Sequence, residues 1–116
     1  MNKLISKELL SLVLDTKIEK FKIVEEDNMM YFGYTSLNLD TLGRLCKEWA
    51  LKEGYCLVSS IHDNNNYESK YCICEIMKPV YGSSSLYFPQ ENTIGSDTEP
   101  EAIFKACQWI LEKEAK

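Results

Sequence analysis

The stretch Tyr71–Met77, YCICEIM, constrains this chain more than any other. A β-strand points successive side chains to opposite faces. Here both sets are apolar, with Glu75 the exception. A strand that is apolar on both sides needs cover on both sides. The sheet that holds it is therefore expected to carry helices on both faces, not one open wet side.

Helices to supply that cover are legible on either side of it. Ser6–Asp15 reads as a short helix, with Ser6 as N-cap, Glu8 in the first turn and an apolar face of Leu9, Leu10, Leu12 and Val13. A second helix runs between Asn38 as N-cap and Gly54 as stop. Leu42, Leu45, Cys46, Trp49 and Ala50 fall at helical spacing within it, so Trp49 is expected in the core. The third opens at Thr98-Glu99-Pro100-Glu101. This is a capping box, with Pro in the first turn where early amides have no intrahelical partner.

The strands are read from alternation and turn residues. EKFKIVEED has the two-residue period, Asp27-Asn28 is a turn, and MMYFGY is the return strand. YCLVSSI is a strand, His62–Asn66 a polar turn, and YESKYCICEIM the next strand, ended by Pro79. A short strand follows at Leu86–Phe88, and PQENTIGSD reads as a loop. The order is α-β-β-α-β-β-β-α, with short connections and so mostly antiparallel pairing. The expected fold is an α+β single-domain α/β sandwich spanning residues 1–116. The middle and C-terminal helices would be its main cover, with the first helix on the other face or an edge.

Composition narrows the function classes. The chain has 116 residues, 45% of them hydrophobic, which suits one domain with its own core. No run approaches the roughly 18 apolar residues of a membrane span. Lys7 and Glu8 interrupt the apolar N-terminal run and no small-residue cleavage site follows, so it reads as a mature helix, not a signal peptide. Net charge is −5, and each Lys-rich stretch carries matching Glu; this argues against a phosphate-backbone partner. The five cysteines, Cys46, Cys56, Cys72, Cys74 and Cys107, are odd in number and lie in apolar patterns. They are expected as reduced thiols of a cytoplasmic interior.

No motif supplies a convincing reaction. His62 is the single histidine and lies beside a polar turn, without a strained nucleophile turn to serve. Cys72 and Cys74 share a strand face but lack the spacing and second pair of a zinc site. Glu25-Glu26-Asp27 is explained by solvation, and Asp97, Glu99 and Glu101 by a helix N-terminus. Gly82–Ser85 lacks the lysine and following helix of a phosphate loop. The chain is expected to have no catalytic residues, no bound metal and no cofactor.

Two stretches carry a resemblance. LNLDTLGRLCKEWALKEGY and TEPEAIFKACQWIL, spanning Leu37 to Leu111, resemble the short phage and prophage proteins of the phage αβα-sandwich domain family. The segment to Ser36 lies outside the match. The resemblance implies the same sandwich and an origin in a phage or its bacterial host. It brings no catalytic residues, since the family's members are mostly of unknown function.

Aromatic content remains. Around a helix with its stripe near Cys107, Trp109 points roughly 160° away, at about 100° per residue. It shares that side with Ala102 and Ala106, a shallow patch on which the N-terminal segment or another molecule would rest. Tyr81 and Tyr87 lie in the long connection from Pro79 to Asp97, and aromatic residues favour contact surfaces. Trp109, Ala102, Ala106, Tyr81 and Tyr87 are therefore the expected binding residues. The function expected is a phage-type accessory protein that binds a macromolecule, such as a host or defence protein. The alternatives are a self-associating structural protein, and a small-molecule or nucleotide binder without catalysis.

Overall fold

The computed structural model describes residues 5–64, 69–79, 86–87 and 93–114. The first helix, α1 (Lys7–Leu14), begins where Ser6 accepts a hydrogen bond from the Leu9 amide. It ends at Asp15, which takes the left-handed conformation at φ 52°. Ser11 ties the exit down. Its hydroxyl donates to the Lys7 carbonyl at 2.8 Å and accepts from the Ile18 amide at 3.1 Å.

Three short strands follow: β1 (Lys22–Val24), β2 (Met29–Phe32) and β3 (Thr35–Asn38). They form an antiparallel sheet in sequence order. β3 occupies a segment to which no element was assigned from the sequence. Its pairing with β2 closes Phe32 onto Thr35 across a two-residue turn in which Gly33 has φ +55°. One row, Ile23–Met30–Leu37, runs across the sheet on a single face, and Met30 at its centre is fully buried. The row joins the main core, so the small sheet contributes one face to it.

Helix α2 (Leu39–Lys52) starts as expected, with the Asn38 side chain accepting from the Asp40 amide. The preceding turn is fastened to it, because Leu39 N donates to the Asn28 carbonyl and Asn28 Nδ2 to Asp40 Oδ2. Leu39, Leu42, Gly43, Cys46 and Ala50 are buried, and Trp49 is half-buried against the core. Gly54, at φ +94°, lets the chain reverse into the next strand.

The larger sheet is built from β4 (Cys56–Asn64), β5 (Ser69–Pro79), β6 (Leu86–Tyr87) and β7 (Thr93–Ser96), all antiparallel. β4 runs on through His62–Asn64, which pair with Tyr71, Lys70 and Ser69; the polar turn expected from His62 does not begin there. β7 lies where a loop was expected. Cys72–Glu75 of β5 pair with β4 on one side and β7 on the other, so β5 is central and β4 is the outer strand.

Helix α3 (Glu99–Glu114) starts with the Thr98 hydroxyl accepting from the Glu101 amide at 3.3 Å. The capping box is met on the threonine side, while the Glu101 carboxylate lies 3.5 Å from Lys105 Nζ. α3 packs on β4, β5, β7 and α2. Gly43 permits the close approach of the two helices, since a methyl group there would sit 3.2 Å from Ile103 Cδ1.

The α+β class and the antiparallel pairing match the expectation, with two sheets in place of one. One core cluster gathers residues of α1, α2, α3 and both sheets. α1 packs on α2 and α3 and joins the helical layer, because its buried leucines, Leu9 and Leu10, meet apolar helix surface there. Cover of the larger sheet is unequal. Leu57, Cys72, Cys74 and Ile76 are buried on one face, with Ile61 exposed along it, while on the opposite face Met77 is buried, Ile73 and Glu75 half-buried, and Val58 and Gly95 exposed.

Candidate functional site

The expected aromatic patch on α3 is an interior feature. Ala102 and Ala106 are fully buried, as are Phe104, Cys107 and Ile110. The buried arc is centred nearer Ile103 and Ile110 than Cys107, because the small alanines let neighbours close over them. Ala102 and Ala106 are thus corrected from contact residues to core residues, and the cover is the chain's own. Trp109 sits at the margin of the arc, half-buried and packed against the core. The Tyr55 ring meets it edge-on with centroids 6.3 Å apart, and Lys113 Nζ lies 4.8 Å over its face. Such contacts contribute about 0.5–1.5 kcal/mol each beyond area burial. Tyr81 and the side chain of Tyr87 lie outside the described residues, as do the loop at Gly82–Ser85 and the His62 side chain.

The cysteines are free, and Cys46, Cys72, Cys74 and Cys107 are buried. Cys107 Sγ donates to the Cys46 carbonyl at 3.4 Å, joining α3 to α2. Contact with Cys46 and burial both push the Cys107 thiol upward. Burial is also the main cause that pushes Cys74 up to about 12, with Cys107 and the nearby carboxylates adding to it. Cys72 is raised by burial and by Glu99 and Asp97. These thiols therefore stay protonated near neutral pH, where a nucleophile or metal ligand would need the thiolate. Among the described residues, no group of three or more His, Cys, Asp and Glu converges in a metal-holding arrangement.

Depressions in the surface open between several of the described elements. One of about 360 Å³ is lined by Lys17, Ile18, Glu19, Lys20, Phe32 and Gly33. A second, about 190 Å³, lies between α2 and the start of α3, where Arg44 and Lys47 stand near Asp40 and Glu99. Glu99 is already engaged there, accepting from the Ser59 hydroxyl at 2.9 Å. The third, also about 190 Å³, runs between α2 and β4 and is lined by Lys47, Glu48, Leu51, Cys56 and Leu57.

That third cleft borders an exposed apolar margin. β4 is the outer strand of the larger sheet, and no other described strand pairs with its far side. Edge strands are ordinarily protected by lysine, proline or a bulge. The stretch Cys56–Ile61, CLVSSI, has neither charge nor proline. Ile61 is 61% exposed, Val58 44% and the neighbouring Leu51 of α2 65%. YCLVSSI has the pattern of an ordinary strand; its place at the margin depends on β7 taking the other side of β5. No family model, curated protein or solved structure matches the chain.

Proposed function

We propose that this is a non-enzymatic accessory protein that acts by binding a macromolecular partner, and that the outer edge of β4 with the adjoining end of α2 is its contact surface. The observation that carries this reading is the uncharged stretch Cys56–Ile61, with Val58, Ile61 and Leu51 exposed on one margin. An apolar strand edge offers both backbone hydrogen-bonding groups and side-chain pockets to a protein partner. The resemblance to phage αβα-sandwich proteins suggests the setting, a phage or prophage protein meeting a host or defence protein in the bacterial cytoplasm. The cysteines, none of them in a disulfide, fit such a reducing compartment.

Comparative capture tests the surface. Immobilised wild-type chain and an Ile61→Lys variant are exposed to the same bacterial lysate. A protein retained by the first and lost from the second supports the reading. Retention that is equal in both, or absent from both, with no self-association, overturns it.

A further inference from the structure

We infer that the depression between the exit of α1 and the end of the small sheet binds a small organic anion, one that carries its carboxylate or phosphate on a flat apolar ring. The inference goes beyond the contact-surface reading and shares no residue with it. Lys17, Ile18, Glu19 and Lys20 form one wall and Phe32 and Gly33 the other, around about 360 Å³. Pockets of roughly 300–1,000 Å³ suit single small molecules. Both walls are set before any ligand arrives. Left-handed Asp15 turns the chain out of α1. The Thr16 amide then donates to the Ser11 carbonyl at 3.1 Å, and the Ile18 amide to the Ser11 hydroxyl at 3.1 Å. Opposite, Phe32 is held in register with Thr35. Gly33, at φ +55°, leaves open space beside it, where a Cβ would meet no atom within 4 Å. Walls that are already ordered lose little entropy on binding.

Charge selects the sign of the ligand. Lys17, Glu19 and Lys20 are all exposed. Lys17 and Glu19 stand 3.5 Å apart, which leaves Lys20 with no ion-pair partner among the described residues. The depression between α2 and α3 lacks this surplus, since Arg44 and Lys47 there are matched by Asp40 and Glu99. The net charge of −5 repels anions at a distance, but salt screens that field within about 10 Å, so contact at Lys20 decides. One exposed ammonium holds a bare anion weakly, and Glu19 opposes it. Affinity therefore needs apolar contact as well. Phe32 supplies it, being half-buried against the core with part of its ring at the depression. The stems of Lys17 and Lys20 add apolar surface while their ammonium groups stay in water. A ring laid against Phe32 with its anionic group at Lys20 meets both demands. The ring alone, or the anion alone, meets one.

Amide NMR spectra of the full chain, recorded through titrations, test the site. The probes are phenylacetate, a ring with a carboxylate, and adenosine monophosphate, a ring with a phosphate. Acetate and inorganic phosphate supply the anions alone, and benzyl alcohol the ring. At least one ringed anion is expected to shift the amide signals of Ile18, Glu19, Lys20 and Gly33, saturating near or below about 1 mM. The one that binds more tightly identifies the anionic group. The unringed anions and the alcohol should bind at least about tenfold more weakly. Lys20→Glu, at an exposed position, should weaken binding about tenfold or more, and Lys20→Arg should retain it. Spectra that neither ringed anion moves overturn the inference. So does acetate or phosphate binding as tightly as its ringed counterpart, which would leave only a surface cation. Affinity unchanged in Lys20→Glu overturns it as well.

Discussion

Trp109 shows how much of a helix face a pair of alanines can decide. A stripe drawn through large apolar residues alone places the indole in water. With Ala102 and Ala106 fully buried, the stripe widens until the indole lies at its rim. The ring then serves the monomer, held by Tyr55 on its edge and Lys113 on its face. Trp109→Ala should lower unfolding free energy by about 2 kcal/mol. Lys113→Gln, which removes the cation and leaves the packing, should cost less than about 1 kcal/mol. Urea titrations of the two variants would separate these. Gly43 makes a complementary point. A side chain of any length there meets Ile103 across the α2–α3 contact, so Gly43→Leu should destabilise by about 1–3 kcal/mol despite leucine's better helix propensity. The thiols add a pH dependence. Unfolded Cys74 loses its proton near 9.0, whereas the folded group holds it to about 12. Between these values the unfolded state binds fewer protons, so stability falls as pH rises. Chemical denaturation at pH 8 and pH 10 would show the loss, and Cys74→Ser should reduce its slope.

At the scale of elements, the helices were legible because their ends and faces are written in local chemistry. Ser6, Asn38 and Thr98 each accept from an amide in the first turn, as their positions imply. Replacing Thr98 by Ala should cost about 1 kcal/mol, readable as a lower thermal midpoint. The strands were less legible, and the failures share a cause. β3 has only Leu37 turned inward, and β7 holds Gly95 within four residues, so neither shows enough alternation to stand apart from a loop. His62–Asn64 look like turn residues and are strand because their backbone pairs with Ser69–Tyr71. Long-range pairing decides such segments, and local pattern does not contain it. The same reason hid the exposed margin of β4. CLVSSI has the composition of an interior strand, and nothing within it tells which side meets another described strand. The burial of Cys46, Cys72, Cys74 and Cys107, by contrast, followed from the apolar company they keep. In the native chain Cys56, which is only partly buried, should be the described thiol that reacts fastest with an aromatic disulfide reagent. All five should react after denaturation.

For the molecule as a whole, one core joins both sheets and all three helices, with no division into separately packed halves among the described residues. Unfolding should therefore be a single cooperative event. Tryptophan fluorescence, reporting Trp49 and Trp109, and far-UV circular dichroism should trace superimposable denaturation curves. The central place of β5 has a further consequence during synthesis. Its inner side, Cys72, Cys74 and Ile76, is shielded largely by α3, which is translated after it, and its second edge is filled by β7, also translated later. Domains form as their chain emerges from the ribosome. For this chain the β4–β5 hairpin is made first and must wait, greasy side bare, for β7 and α3 to follow. A pause in translation placed before codon 93 would hold the nascent chain at its stickiest, and chaperone recruitment should peak there.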